Sequence, residues 1–435
     1  MNTKDYIVKF LLEQKIIPLL TKEFLADTYS KETGELYGFN KAEITNFNKK
    51  RTLFAEFIAG CVLGQHYYYY SEKQRYNDVF YLGSYDELKT TFGTIRKRGD
   101  VSLFDFWNDH LSLFNKKIKG STGVSNGYSI NGLFLGKLDA ALKAHSFKFK
   151  KNKKDTPVHH KKYTDKTSVV INKETTKTFI KSDADPFERL TALAFLEHSN
   201  NNTVLNQFYS DKSKKTDRLN AIGLTSLQNV SKGVREALLS DYYCYDMDSA
   251  AFAILFGLAA DKTIYPTIQR YIQETKTFRT EVAQQASATI KDVKLTFLMK
   301  SFGSVLNQHN GAGSKIDNLE QIKQSELFND FINEYELLKR ELIDSKRWDN
   351  KLIELKRIEA VEIKKKGSGR VNYENKFIVW LYNHYEVKAL KAMQGTETDC
   401  LLLHDGIYTK TKKNPIDLES EILNQTGLFI GVSKE

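Results

Sequence analysis

Residues 242–257 read YYCYDMDSAAFAILFG, and residues 400–410 read CLLLHDGIYTK. In the first stretch an aromatic run with the character of a short buried strand ends on acids, Asp246 and Asp248. It then passes into an apolar helix. In the second, a leucine run ends at His404 and Asp405, turns tightly at Asp405-Gly406 and continues as another strand. Carboxylates at strand ends, far apart in sequence, are what two-metal phosphoryl transfer needs, because metals ~3.5–4 Å apart clamp both the attacking and the leaving oxygens. Mg2+ (or Mn2+) prefers carboxylate oxygen and keeps several waters, so few protein ligands suffice. Either Asp246 or Asp248 supplies one carboxylate on this reading, and Asp405 the other. Between them, IKDVKLTFLMKSFGS (residues 290–304) predicts a cationic helix that sets Lys291 and Lys294 three residues apart, with Phe302 and Gly303 two turns on. Such a helix suits a triphosphate.

The composition fits that chemistry. The chain has 435 residues, 65 Lys+Arg against 54 Asp+Glu and a formal charge of +11, which favours a polyanionic partner, most simply nucleic acid. Hydrophobic residues make up 41% and charged residues 27%, the balance of a globular chain rather than a disordered one. No long apolar run predicts a membrane span, and MNTKDYIVKFLLEQKIIPLL at the start reads as an amphipathic helix, not a signal peptide. Cys61, Cys244 and Cys400 lie far apart and form no CxxC pair. A reducing, cytoplasmic setting without structural zinc is therefore expected.

The pattern divides the chain into five regions. Residues 1–115 read as a helical N-terminal region with an aromatic cluster at His66–Tyr70, either a packing cluster or a stacking platform for bases. Residues 116–185 read as a basic linker and β region. It opens on the loop-like GSTGVSNGYSINGLFLG, carries a lysine run that includes Lys151, Lys153 and Lys154, and continues through TSVVINKETTKTFI as a strand or hairpin. Residues 186–260 open with a helix capped by Asp185 and started by Pro186, then reach the first acidic strand. Residues 261–366 are helical, and residues 367–435 hold a helix from ENKFIVWLYNHYEVKALKAM and the second acidic strand. The fold class is α+β, with helices dominating.

The order of these segments resembles the palm and fingers of family A DNA polymerases and the related phage-type single-subunit RNA polymerases, over roughly residues 210–410. TDRLN (Thr216–Asn220), SLQNVS (Ser226–Ser231) and VREAL are similar to the family's first conserved stretch. YDMDSAAFAIL is similar to motif A; Lys294, Leu298, Phe302 and Gly303 to motif B; and LLLHDG to motif C. The intervals resemble the compact DNA polymerases, and no segment is similar to a proofreading exonuclease or a helicase P-loop.

The resemblance implies a helix-rich right-hand polymerase with a small antiparallel palm sheet, helical fingers and a separate N-terminal region. It implies metal ligation by Asp246 and Asp405, with Asp248 as a third candidate, and stabilisation of triphosphate charge by Lys294. Arg218 would sit near the primer end or incoming nucleotide, and Gln228 and Asn229 near the template–primer duplex. Arg235, His404, Lys151, Lys153 and Lys154 would complete the nucleic-acid contacts.

Three departures refine these expectations. Ile290 replaces the arginine usual four residues before the motif B lysine, which leaves Lys291 or Arg279 to take a phosphate contact. Phe302 replaces the usual tyrosine. The glutamate that excludes a ribose 2′-OH in the DNA polymerases is Ala251 here, or Ala253 if Asp248 is the ligand. A methyl group leaves room for the hydroxyl.

The expected function is template-directed nucleotide addition to a 3′ end that accepts ribonucleotides, as in a primase or RNA polymerase of phage or mobile-element replication. Its partners would be single-stranded DNA or a primer–template, NTPs or dNTPs, and a replication helicase or other replisome protein, with no membrane. The alternatives are a DNA polymerase without proofreading and a catalytically inactive polymerase-derived binding protein. An HD phosphohydrolase would need further metal-binding histidines on helices, whereas His404-Asp405 follows a leucine strand.

Overall fold

A computed structural model of the chain describes residues 3–14, 16–17, 41–62, 79–81, 94–95, 101–102, 104, 108, 114–118, 127–146, 165–199, 204–210, 218–221, 226–301, 306, 316–366 and 373–435. Within them the fold is α+β and helix-rich, with small antiparallel sheets. The helices are α1 (Thr3–Glu13), α2 (Lys41–Val62), α3 (Gly132–Ala144), α4 (Lys173–Lys181), α5 (Pro186–His198), α6 (Lys232–Leu238), α7 (Ala250–Gly257) and α8 (Pro266–Gln273). They continue with α9 (Thr275–Gln285), α10 (Ile290–Ser301), α11 (Leu319–Gln324), α12 (Glu326–Asp344), α13 (Asp349–Lys366), α14 (Tyr373–Gln394) and α15 (Pro415–Thr426). The strands are β1 (Val79–Tyr81), β2 (Thr94–Ile95), β3 (Val101–Ser102), β4 (Phe114–Ile118), β5 (Gly127–Ile130), β6 (Asp165–Val170), β7 (Val204–Ser210), β8 (Asn220–Ala221), β9 (Tyr243–Met247), β10 (Cys400–Leu402), β11 (Gly406–Thr409) and β12 (Val432–Lys434).

The sheet that matters runs β10-β11-β9-β12, antiparallel throughout. Its strands are buried on both faces, and alternation sorts their side chains. Tyr245, Met247, Cys400, Leu402, Ile407 and Val432 point into a core shared with α7–α12, α14 and α15. Cys244, Leu401 and Tyr408 point the other way, into a core shared with α1–α6. β10, β11 and β9 thus form the wall between two hydrophobic cores, with β12 adding Val432 to one of them.

In the core with α7–α12, an aromatic cluster fixes the helix that leaves β9. Phe252 on α7 meets Phe331 of α12 edge-on at 5.0 Å, Tyr271 of α8 at 5.4 Å and Phe297 of α10 at 6.3 Å. Tyr271 stacks on Phe297 at 4.6 Å. Edge-to-face and stacked rings at these separations add cohesion beyond the area they bury. Phe297 is one turn from Lys294, so α10 is held in fixed relation to the strand that carries Asp246.

Elsewhere the structure departs from the pattern reading. The described part of the glycine-rich stretch is regular structure: Gly127–Ile130 form β5, and Asn131 accepts from Leu133 N at 2.8 Å and starts α3, whose Phe134, Leu138 and Leu142 form one buried stripe. Burial of that stripe outweighs the two glycines. TSVVINKETTKTFI is a strand only as far as Val170. Asn172 then caps α4 through Thr175 N at 3.0 Å. Across residue 115, β1 and β4 both pair with β5. His66–Tyr70, Lys151, Lys153, Lys154, Phe302 and Gly303 lie outside the described residues. Among the described residues no helix is long and apolar enough to cross a membrane.

Candidate functional site

Asp246 lies in the second-last position of β9, in the middle of the sheet. Gly406 of β11 faces it on one side and Ser433 of β12 on the other. Asp405, exposed, immediately precedes Gly406, and its carbonyl accepts from Met247 N at 2.7 Å. The turn at Asp405-Gly406 therefore carries the second acid to the strand end that carries the first. Gly406 is required by space: a Cβ there would stand 2.1 Å from Asp246 Oδ1 and 2.4 Å from the Tyr245 carbonyl.

Asp248 is placed differently. It lies beyond β9, exposed, with its carboxylate accepting from Ser433 Oγ at 2.9 Å and its amide bonded to the Gly431 carbonyl at 2.7 Å. The next residue, Ser249, adopts a left-handed conformation (φ 48°) that turns the chain from strand into α7. Its hydroxyl is tied to Thr275 Oγ1 at 2.8 Å. Ala251 is half-buried, whereas Ala253 is sealed in the core at 1% exposure, so only Ala251 borders open space.

A third acid joins the first. Glu435 lies beside Asp246, its carboxylate bonded to Lys232 Nζ at 2.7 Å and to the Asp246 carboxyl. The nearest ligand atoms of Cys244, Asp246 and Glu435 all fall within 4.8 Å of one another. Burial, then the charges of Asp405 and Glu435, push the Asp246 carboxyl up to about 7. Glu435 moves the other way: Lys232 holds it below the usual carboxylate range, and Lys294 contributes to the same field.

This donor set suits a hard divalent cation such as Mg2+ or Mn2+, which carboxylate oxygens bind and thiols do not favour. Burial, chiefly, pushes the Cys244 thiol up to about 12, so without a metal it is protonated.

Lys294 acts on Glu435, and Arg218 and Asp405 both act on Glu386. On α10, Lys291, Lys294 and Leu298 are exposed, with Val293, Thr296 and Phe297 buried behind them. Arg279 is half-buried, its Nε donating to the Tyr271 hydroxyl at 3.1 Å, which leaves Lys291 the freer substitute for the arginine absent at Ile290. Arg218 pairs through Nε with Glu386 at 3.3 Å. Glu386, on α14, is 2% exposed; burial pushes it up to about 8 against the pull of Arg218, and Asp405 adds to the rise. His404 is pushed down to about 4 by burial and by Arg218 and Arg235, and it is therefore neutral near pH 7. Arg235 donates to the Val230 carbonyl and to the Tyr408 hydroxyl.

Gln228 is buried, accepts from Ala221 N at 2.7 Å and donates to the Leu219 carbonyl at 3.2 Å, so its amide fastens β8 in place. Neighbouring Asn229 is exposed. Sequence reading missed Glu435, Lys232, Ser433 and Glu386. The alternation of Leu428, Ile430 and Val432 signals a strand near Glu435, but no pattern signals which strand it joins.

No protein-family model matches the chain, and no curated protein does. Among solved structures it is similar to the POL domain of Pol1 from M. smegmatis, solved as a complex with DNA primer-template and dNTP. The identity is 15%, with 66% of this chain and 58% of that chain covered and a TM-score of 0.34. The chain thus spans little more than half the length of that structure. What the site can do is read from its own side chains.

Proposed function

We propose that the protein is a template-directed nucleotidyltransferase that adds nucleotides to a 3′ end. One observation carries this reading. Strand pairing places the Asp405 turn against Asp246 at one end of a buried sheet, within the electrostatic reach that raises Asp246 to about 7. Divalent cations bound there would supply positive charge to the attacking and leaving oxygens. Asp246 and Asp405 hold them, with Asp248 steadied beside them by Ser433. Lys294, seconded by Lys291, meets the triphosphate from the exposed face of α10 and stabilises charge as pyrophosphate leaves.

Arg218, Asn229, Arg235 and neutral His404 form the bank on which a primer end and its template would lie. Residues 186–260 and 367–435 act as the palm and residues 261–366 as fingers. The methyl group of Ala251 leaves space beside the sugar, so ribonucleotides are accepted, which favours a primase or RNA-polymerase role over strict DNA synthesis. The setting is cytoplasmic, with a primer–template or single-stranded template and nucleoside triphosphates as partners.

The test supplies the full chain with single-stranded template, Mg2+ and either NTPs or dNTPs, with and without primer. Asp246→Ala and Asp405→Ala should each abolish nucleotide addition while retaining the fold and nucleic-acid binding. If both variants extend as well as the parent, the site is wrong. Products from dNTPs and primer alone would replace the ribonucleotide reading with that of a DNA polymerase. Tight binding without any product would mark a binding protein.

A further inference from the structure

Resting on the reading of Asp246 as a cation ligand, we propose that Glu435 is a further carboxylate of the same cation site, delivered by β12 and not by either acidic turn. The backbone fixes the placement. Glu435 N donates to the Cys244 carbonyl at 3.1 Å, and Ser433 stands opposite Asp246. Antiparallel alternation then puts the Glu435 side chain on the sheet face that carries Asp246. The other neighbours of Asp246 cannot do the same work. Gly406 has no side chain and no room for one. The Ser433 hydroxyl is committed to Asp248 at 2.9 Å. Among the described residues of the flanking strands, Glu435 is the one whose side-chain oxygen is hydrogen-bonded to Asp246.

Its charge environment fits the role. Two carboxylates in hydrogen-bonding contact, with Lys232 2.7 Å from Glu435, form an arrangement that a divalent cation relieves by taking a place between them. The Cys244 thiol lies 3.8 Å from Asp246 Oδ1 and 3.9 Å from Glu435 Oε2. It serves as the packed floor of the pair. Lys232 is the stand-in counter-ion that keeps Glu435 anionic and in position when no cation is bound.

The experiment is calorimetric titration of Mn2+ into the full chain, with incorporation measured against Mg2+ concentration as a second readout. Glu435→Gln, which keeps shape and removes charge, should raise the Mn2+ dissociation constant roughly 10- to 100-fold. It should raise the Mg2+ concentration for half-maximal incorporation in parallel. Lys232→Met, which deletes the competing ammonium, should leave Mn2+ binding equal or tighter. Unchanged Mn2+ affinity in Glu435→Gln overturns the proposal. So does a loss in Lys232→Met as large as that in Glu435→Gln, which would trace the effect to the packing of β12. Asp246→Asn separates the two levels. If it abolishes Mn2+ binding while Glu435→Gln does nothing, only Glu435 is misassigned. If it too does nothing, the cation reading of Asp246 falls.

Discussion

A single methyl group at Gly406 tests the geometry of the site. The Cβ of Gly406→Ala would fall 2.1 Å from Asp246 Oδ1, 2.4 Å from the Tyr245 carbonyl oxygen and 3.1 Å from Asp246 Cα. The carboxylate can rotate away, but the carbonyl and Cα belong to β9 and move only with the strand. Ordinary contact distances require β9 and β11 to separate by about 1 Å at this level. Buried overpacking of this kind costs roughly 1–3 kcal/mol, and two strand-backbone contacts place the substitution at the upper end. The functional effect is larger, because the displaced residues carry both acids; a misplacement of about 1 Å can lower a rate by about 10²-fold. Thermal unfolding of the parent and variant gives the first quantity, and single-turnover incorporation at saturating Mg2+ gives the second. Gly136→Ala is the control. It lies in α3 with nothing within 4 Å of the added carbon, and it should stabilise by about 0.5–1 kcal/mol. If Gly406→Ala melts with the parent and incorporates at the parental rate, the pairing of Gly406 with Asp246 is not as described.

Phe252→Ala should cost about 3–5 kcal/mol, since it removes the ring that joins α7 to Tyr271, Phe297, Phe331 and Tyr335; a denaturant titration showing a loss under about 1 kcal/mol refutes that role. The elevated Asp246 carboxyl sets a pH dependence. Its stabilising effect is complete below the ordinary value of 3.8 and is lost as pH rises through about 7, so the cation-free protein is penalised above that value. Without divalent cations, Asp246→Asn should therefore gain on the parent in melting temperature between about pH 5 and about pH 8; a constant difference across that range contradicts the assignment. Ala251→Glu should suppress ribonucleotide incorporation selectively, and an equal loss with both sugars removes the steric reading of that position.

The features of the site that could be read from sequence are those built by consecutive residues. Tyr243–Met247 and Cys400–Leu402 announce strands by their buried aromatic and leucine runs, and Asp246 and Asp405 end them. Ala250–Gly257 and Ile290–Ser301 are helices as their patterns predict, which places Lys291 and Lys294 on an exposed face. What could not be read depends on strand register and burial. Glu435 is meaningful only because β12 pairs with β9 and not with an outer strand. Glu386 looks like one more acid in a charged helix, yet it is sealed against Arg218. Gln228 looks like a ligand contact, and only the fold shows its amide bonded to the backbone around β8. The helix at Gly132–Ala144 was hidden by glycines, whose low propensity is overruled by the buried stripe of Phe134, Leu138 and Leu142.

The sheet that bears the acids has a consequence for how the molecule can be divided. Cys244, Leu401 and Tyr408 share their core with Ile7, Leu11, Phe54 and Ile58 from the first two helices. Removing the residues before 186 would strip α1–α4 and β6 from that core and leave its remaining apolar side chains wet. A minimal fragment that starts near residue 186 should therefore be insoluble, however complete its set of motifs. The N-terminal helices are then part of the core that backs the acidic sheet, and a fragment must carry them to keep that core closed.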